Sequence, residues 1–154
     1  MFKRYITKNP KETKYLGKKL GLFLQKKFIN KFPLLLLKGK LGAGKTVFVK
    51  GLANSFKVSE EILSPTFIIF KKYYAKIENK KITFCHIDCY RIKDEEEFKK
   101  LKISDFFQKE NYFIVIEWPE RIKKLLKDKN YILVEFRILD IKKRKIKISF
   151  KKNG

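Results

Sequence analysis

The longest apolar runs in the sequence predict strands that are buried on both faces of a sheet. One run is LLLLK at 34–38, and another lies within NYFIVIEW at 111–118. Shorter or alternating runs predict further strands, which we place at 2–7, 66–75, 82–88, 131–139 and 145–150. We expect the last two strands to pair as an antiparallel hairpin.

Capping residues and stretches of mixed polarity predict the helices. Pro10 occupies a favoured first helical position, and Thr7 or Asn9 precedes it as a candidate cap. We expect the apolar face of this first helix to consist of Tyr15, Leu16, Leu20, Leu22, Phe23 and Phe28. Further helical stretches are predicted at 45–56, 94–101 and 119–126.

The segment GKLGAGKT at 39–46 follows the first buried strand and precedes a predicted helix. It matches the phosphate-binding pattern G-x-x-x-x-G-K-[ST] in full. Glycines allow successive backbone N–H groups to turn inward and form an anion nest, and the N-terminus of the following helix adds to the attraction for phosphate. Lys45 would reach the β- and γ-phosphates, and Thr46 would offer a hydroxyl to Mg²⁺. The sequence therefore predicts a site for a nucleoside triphosphate.

This pattern and the order of elements indicate an α/β fold, a P-loop NTPase-like sandwich. We expect a central mixed, mostly parallel sheet that ends in a C-terminal antiparallel hairpin. The sequence contains no internal repeat and no low-complexity linker, which predicts a single domain over 1–154.

Two acidic residues are candidates to complete a magnesium site, because each ends an apolar strand. Glu117 ends FIVIE, and Asp88 ends ITFCHID. Since side chains alternate along a strand, His86, Asp88 and Tyr90 are expected on one face and the two cysteines of CHIDC on the other. The sequence alone leaves open which acid binds the metal.

The composition narrows the classes of protein further. The net charge is +23, but only five of the 39 basic residues are arginine and the lysines are spread along the chain, which favours a solvated surface over a nucleic-acid stripe. Two cysteines without a secretory signal predict reduced, buried thiols. No run is long enough to cross a membrane, so we expect a soluble, cytoplasmic protein.

Several enzyme classes lack their characteristic residues. The GTPase patterns D-x-x-G and N-K-x-D are absent, and a single histidine leaves no Ser-His-Asp arrangement with a positioned base. Two other interpretations remain: a P-loop kinase for a small molecule, and a basic RNA-binding module with a regulatory nucleotide site.

Four ordered motifs resemble those of the TsaE (YjeE) family, bacterial P-loop ATPases needed to make N6-threonylcarbamoyladenosine in tRNA. The matching segments are GKLGAGKT (39–46), SPTF (64–67), HIDCYR (86–91) and IEWPER (116–121), together with ETKYLG (12–17) near the N-terminus. The resemblance covers essentially the whole chain. It implies ATP and Mg²⁺ as cofactors and TsaD-like and TsaB-like proteins as partners, with tRNA contacted only through the complex. ATP binding and hydrolysis would reset that complex between cycles, and the isolated protein would be a weak ATPase.

The resemblance also implies roles for individual residues. Asp88 would orient water or act through the metal, and Arg91 would stabilise phosphate charge or hold its motif. The implied nucleotide contacts are Gly39, Leu41, Gly42, Ala43, Gly44, Lys45, Thr46, Val47, Ser64, Thr66, Trp118 and Arg144. The implied catalytic residues are Lys45, Asp88, Arg91 and Glu117, and the implied metal ligands are Thr46, Asp88 and Glu117. Lys40 departs from the aspartate usual in the family, and Lys143-Arg144 stands where the family often has Gly-Arg near the adenine.

Overall fold

A computed structural model gives the structure of the chain and describes residues 2–65 and 69–153. Within these ranges the strands are β1 (Phe2–Thr7), β2 (Leu34–Lys38), β3 (Phe70–Ile77), β4 (Lys80–Asp88), β5 (Tyr112–Glu117), β6 (Tyr131–Ile138) and β7 (Arg144–Lys151). The helices are α1 (Pro10–Lys27), α2 (Lys45–Ser55) and α3 (Glu95–Lys100). Two segments are 3₁₀-helical, Ile103–Gln108 and Pro119–Leu126.

The described strands form one mixed sheet in the order β1-β7-β6-β2-β5-β4-β3. The four central strands β6, β2, β5 and β4 run parallel, while β1, β7 and β3 join antiparallel at the two edges. The α/β fold, the mixed sheet and the final β6–β7 hairpin are thereby confirmed. Among the described strands, three pairings are parallel and three are antiparallel, and the parallel ones lie at the centre of the sheet.

The first four residues of β2 are apolar because helical segments cover both faces of the sheet around them. Leu35 and Leu37 belong to the core beneath α1 and α2, and Leu34 and Leu36 belong to the core beneath α3 and the 3₁₀ segments. The continuous apolar run is thus explained by burial on both faces. This arrangement places the loop after β2 at the carboxyl edge of the central strands, where open α/β sheets bind their ligands.

Helix α1 begins as expected, because the Asn9 side chain caps it by accepting a hydrogen bond from the Glu12 backbone N–H at 2.9 Å. The predicted apolar face of α1 is wrong in part, since Tyr15, Leu22 and Phe23 are exposed. The buried face consists of Thr13, Leu16, Gly17, Leu20, Gly21 and Leu24.

Glycines replace large apolar residues on this face because α1 and α2 cross in close contact. A Cβ atom at Gly17 would lie 2.2 Å from the Phe48 carbonyl oxygen of α2. A Cβ atom at Gly51 on α2 would lie 1.9 Å from the Lys14 carbonyl oxygen of α1. The helix that carries the P-loop lysine is therefore held against α1 by direct backbone contact.

Other expectations differ from the structure in detail. The strand placed at 66–75 is observed from Phe70 onward, and its first part lies outside the described residues. The 3₁₀ segment Ile103–Gln108 and the pairing of β1 with β7 were not predicted.

Cys85 and Cys89 are free and buried as expected, and burial raises the pKa of Cys85 to about 11. None of the helices in the described ranges combines the length and the apolar character needed to cross a membrane.

Candidate functional site

The loop between β2 and α2 depends on two glycines with left-handed backbone conformations. Gly42 has a φ of 76° and Gly44 a φ of 96°. Side chains are rarely tolerated at such angles, whereas glycine adopts them readily. Gly44 is the N-cap of α2, so the turn directs the start of that helix toward the carboxyl edge of the sheet.

Two acidic side chains lie together at this edge. Asp88 of β4 is the direct neighbour of Glu117 of β5 in the parallel register, on strands about 4.8 Å apart. Their exposed fractions are only 4% and 2%. As predicted, Asp88 projects from the face opposite Cys85 and Ile87, which belong to the core beneath α3, and Glu117 shares its face in the parallel register.

The Lys45 side chain, at the first position of α2, lies between these acids and the loop. Its ammonium group donates hydrogen bonds to the carbonyl oxygens of Gly39 and of Lys40, the latter at 3.3 Å. Burial lowers the pKa of Lys45, and the negative charges of Glu117 and Asp88 oppose that lowering. The site therefore brings a buried cation close to two buried carboxylates.

Trp118 forms one wall of the site in a strained conformation. It has φ 57° and ψ 51°, a left-handed conformation that is uncommon for a bulky residue. The Lys45 ammonium lies 4.3 Å from the centroid of the Trp118 ring, within cation–π range. The ring of Tyr90 packs on the indole at a centroid distance of 5.0 Å. Strain of this kind, held in place by a specific contact, is typical of functional positions.

Glu117 has an oxygen available for a ligand. Its Oε2 lies 3.6 Å from Nε2 of the fully buried His86, which is too long for a hydrogen bond. Its Oε1 is buried and has no hydrogen-bond partner among the described residues. A buried carboxylate oxygen without a partner suits a hard cation such as Mg²⁺, which prefers oxygen ligands.

Asp88 is held differently, since its Oδ1 accepts a hydrogen bond from the Tyr90 backbone N–H at 2.9 Å. The described ranges contain no cluster of three or more His, Cys, Asp or Glu residues that could hold a metal by themselves. A cation at this site would thus also need oxygens from Thr46, phosphate or water. That donor set is usual for Mg²⁺ bound with a nucleotide.

These groups surround a cavity of about 230 Å³. Its lining consists of Leu41, Gly42, Ala43, Gly44, Lys45, Thr46, Val47, Ser64, Asp88, Glu117 and Trp118. The structure therefore brings together most of the residues that the sequence singles out. Gly39 takes part through its carbonyl group, Thr66 lies outside the described residues, and Arg91 is exposed in the turn after β4 and is not among the described lining residues.

Arg144 lies against the loop itself. Its guanidinium group donates hydrogen bonds to the carbonyl oxygens of Ala43 at 3.2 Å and Gly42 at 3.0 Å. The sequence places Arg144 near the nucleotide by resemblance alone, and no local pattern signals this contact across a hundred residues. Sequence reasoning also missed the packing of Tyr90 on Trp118, although strand alternation had put Tyr90 on the correct face.

A broad groove of about 1080 Å³ opens next to the cavity and shares Trp118 with it. Six basic side chains and two acidic ones line this basic groove. They are Arg4, Lys38, Lys40, Arg137, Lys145, Lys147, Glu120 and Glu135. Like charges face each other across strands in the pairs Arg4–Lys147 and Arg137–Lys145, which disfavours the sheet. Glu135 offsets part of this repulsion through an ion pair with Lys147 at 3.8 Å.

Comparison with known proteins matches most of this chain to one family. The family model described as threonylcarbamoyl adenosine biosynthesis protein TsaE matches residues 7–146. The chain belongs to the TsaE family. The resemblance inferred from the motifs is thereby confirmed.

Curated members of the family come from distant bacteria. The protein named tRNA threonylcarbamoyladenosine biosynthesis protein TsaE from Treponema pallidum is 30% identical over 95% of this chain and 99% of its own length. The proteins of the same name from Bacillus subtilis and Rickettsia prowazekii are 35% and 38% identical, over 80% and 87% of this chain and 70% and 85% of their own lengths. A crystal structure of YdiB from Bacillus subtilis matches with a TM-score of 0.74 at 27% identity, over 99% of this chain and 88% of that one.

Proposed function

We propose that this protein binds ATP with Mg²⁺ at the P-loop and hydrolyses it in the pathway that makes threonylcarbamoyladenosine in tRNA. The observation that carries the proposal is the convergence of Lys45, the unpartnered Glu117 oxygen and the left-handed glycine turn on one cavity. Family membership supports the pathway, and the chemistry of the cavity supports the cofactor.

The loop and Lys45 would hold the phosphates. The start of α2 borders the cavity through Lys45 and Thr46, so its backbone N–H groups and the positive end of the helix would favour an anion there. Lys45 would exchange its bonds to the carbonyl oxygens of Gly39 and Lys40 for bonds to the β- and γ-phosphates. Because the lysine is nearly buried, a phosphate there would be shielded from water and held strongly.

The two acids would take different parts in hydrolysis. When bound, Mg²⁺ would neutralise charge that develops on the phosphate oxygens. Thr46 and Glu117 would hold the ion, since Glu117 has the unpartnered oxygen. Asp88, with one oxygen fixed by the Tyr90 backbone, is placed to orient the attacking water.

The site has features expected of one that a partner completes. Its volume of about 230 Å³ lies below the roughly 300–1,000 Å³ of pockets that enclose a small molecule. Leu41, which lines the cavity, is exposed, and so are Leu139 and Ile141 in the hairpin turn that Arg144 joins to the P-loop. Such clusters mark interaction surfaces, so the isolated protein would hydrolyse ATP weakly.

We infer that the partners are TsaD-like and TsaB-like proteins, and that ATP turnover resets their complex between cycles in the cytoplasm. Contact with tRNA would then be indirect. Helices α1 and α2 share a core with one face of the described sheet, and such a compact unit suits an accessory subunit.

Reconstitution with the TsaD-like and TsaB-like proteins of the same organism tests this proposal. We expect ATP hydrolysis to rise at least roughly tenfold when both partners are added, since they would complete the site. We also expect repeated rounds of tRNA modification only when ATP and this protein are present. Phosphate release and modified nucleoside in digested tRNA are the two measurements.

The variant Lys45→Ala serves as the control in that reconstitution, because it keeps the partner surface and removes the phosphate contact. Equal hydrolysis with and without partners, and no recovery of the partners in a pull-down, would contradict the partner assignment. Phosphate transfer from labelled ATP to an added small metabolite would instead identify a kinase.

The basic groove favours a second candidate function, direct RNA binding beside the nucleotide. Filter binding of tRNA to the protein alone, at two salt concentrations, distinguishes direct RNA binding from the accessory ATPase role. Tight binding that falls steeply with salt would indicate phosphate contacts in the groove. Weak binding without partners would support the accessory ATPase.

Trp118 provides a direct signal for nucleotide binding, because it is the only tryptophan in the sequence. We expect Mg²⁺ and ATP to change its fluorescence, since Lys45 would leave the indole face, 4.3 Å away, to meet the phosphates. A titration of selectively excited tryptophan emission measures the change. The variant Trp118→Phe should lose the signal, and an unchanged spectrum at saturating ATP would contradict this movement of Lys45.

A further inference from the structure

Arg144 links two parts of the chain that are far apart in sequence, the P-loop and the turn of the β6–β7 hairpin. Its Nε and Nη2 donate to the Ala43 and Gly42 carbonyl oxygens at 3.2 and 3.0 Å. Its Nη1 donates to the carbonyl oxygens of Asp140 at 2.8 Å and Lys143 at 3.0 Å. One guanidinium group thus bridges both loops.

The bonds to the P-loop bear on phosphate binding through peptide geometry. A carbonyl oxygen and the N–H of the next residue belong to one rigid, planar unit. Fixing the Ala43 carbonyl therefore fixes the direction of the Gly44 N–H, which is part of the anion nest. The glycines of this loop have few conformational restraints of their own, so an external restraint has a large effect on them.

The other end of the bridge is itself well ordered by local bonds. The Asp140 carboxylate accepts hydrogen bonds from the backbone N–H groups of Lys143 at 2.7 Å and Lys142 at 2.8 Å. These bonds hold the pKa of Asp140 below its usual range. Arg144 accordingly connects a flexible glycine loop to a structured turn.

Arginine suits this bridge better than lysine does. Its planar guanidinium presents five donors in a fixed fork and can serve several carbonyl groups at once, whereas an ammonium is a compact point charge. Only five residues in the sequence are arginine, and position 144 is one of them. A lysine at this position would keep the positive charge but would lose the fixed, forked arrangement of donors.

We propose that Arg144 is a positioning residue that holds the P-loop in its phosphate-binding conformation by bonding the Gly42 and Ala43 carbonyl groups. The inference rests on the proposed binding of ATP at this loop. It differs from an adenine contact at the same residue, because it concerns the phosphate end of the nucleotide alone.

Two ligands distinguish positioning of the P-loop from a contact with the adenine. They are Mg²⁺-ATP and Mg²⁺ with inorganic tripolyphosphate, which has no base. We expect Arg144→Lys to weaken both by about the same factor, roughly tenfold, since fork bonds to two carbonyl groups are lost. Calorimetry measures both affinities. Lys142→Arg, a change at an exposed residue in the same hairpin turn, is the matched control and should bind both ligands as the unmodified protein does.

Each other outcome overturns the inference. A loss confined to ATP would assign Arg144 to the adenine. Full affinity in Arg144→Lys with a loss only in Arg144→Gln would show that charge alone matters. Thermal unfolding without ligand should change little in Arg144→Lys, and a fall in stability that accounts for the lost affinity would show a merely structural role.

The proposed function fails separately from this inference. If the unmodified protein and its complex bind neither ATP nor tripolyphosphate, the nucleotide site itself is wrong. If the unmodified protein binds both and Arg144→Lys binds them equally well, only the positioning role is wrong.

Discussion

Replacing Lys45 with alanine is expected to abolish measurable ATP binding and all ATP hydrolysis. A hydrogen bond to a charged group contributes about 1.5–3 kcal/mol, so losing contacts to two phosphates lowers affinity by at least roughly 100-fold. The loss is compounded because the carboxylates of Asp88 and Glu117 would then face the phosphates without the charge of Lys45, which leaves only Mg²⁺ to offset their repulsion. Calorimetry with Mg²⁺-ATP and a phosphate-release assay measure the two effects.

A lysine elsewhere on the same helix provides the matched control. Lys50 on α2 is not among the described residues that line the cavity, so Lys50→Ala should bind and hydrolyse ATP normally. Thermal unfolding of both variants would show whether the fold is intact. Normal hydrolysis in Lys45→Ala would remove the basis of the site assignment.

The variant Glu117→Gln separates binding from turnover at the same site. Glutamine keeps the shape of the side chain and loses the charge that would hold Mg²⁺, which supplies several kcal/mol of transition-state stabilisation. We expect hydrolysis to fall at least roughly 100-fold while part of the ATP affinity remains. Glu110→Gln, near the opposite end of β5, removes an exposed carboxylate and should have no effect.

The second large effect concerns stability, and we expect it from Gly17→Ala on α1. The new methyl group would lie 2.2 Å from the Phe48 carbonyl oxygen, a backbone atom that cannot rotate away. Overpacking of this kind costs about 1–3 kcal/mol, and it opposes the gain of about 1 kcal/mol that alanine brings to a helix. Because the clash is with backbone, the cost lies at the upper end of that range, and the free energy of unfolding should fall by about 2 kcal/mol net.

Denaturant unfolding measures that free energy, and Lys18→Ala is the control because it changes an exposed neighbour on α1. Since α2 carries Lys45 and Thr46, Gly17→Ala should also weaken ATP binding. An unchanged or higher free energy of unfolding would show that the close crossing of α1 and α2 is wrong. The corresponding variant on α2, Gly51→Ala, should also lower the free energy of unfolding, because its methyl group would lie 1.9 Å from the Lys14 carbonyl oxygen.

Sequence reasoning was most successful where local chemistry decides the structure. The P-loop and the cap at Asn9 follow from residue types with strict conformational or hydrogen-bonding preferences. The placement of Asp88 beside Glu117 follows from strand ends that meet at one edge of a sheet. The loop and the cap each involve only a few consecutive residues, so a single sequence contains them.

The features that sequence reasoning missed depend on contacts between distant segments. The exposed face of α1 looked apolar because Tyr15 and Phe23 are large, whereas the buried face depends on the shape of α2 at Gly17. Likewise, nothing near Arg144 reveals that its partners are the carbonyl groups of Gly42 and Ala43. Close backbone approach and long-range bonds to carbonyl groups leave no periodic pattern in a chain.

The pairing of β1 with β7 has a consequence for how the protein is made. Strand β1 (Phe2–Thr7) emerges from the ribosome well before its partner strand β7 (Arg144–Lys151). Until β7 has been translated, β1 presents unpaired backbone groups together with the exposed side chains of Phe2 and Ile6. This edge of the sheet therefore closes late in synthesis, and chains released before β7 is made would expose an unpaired strand edge on which they could associate.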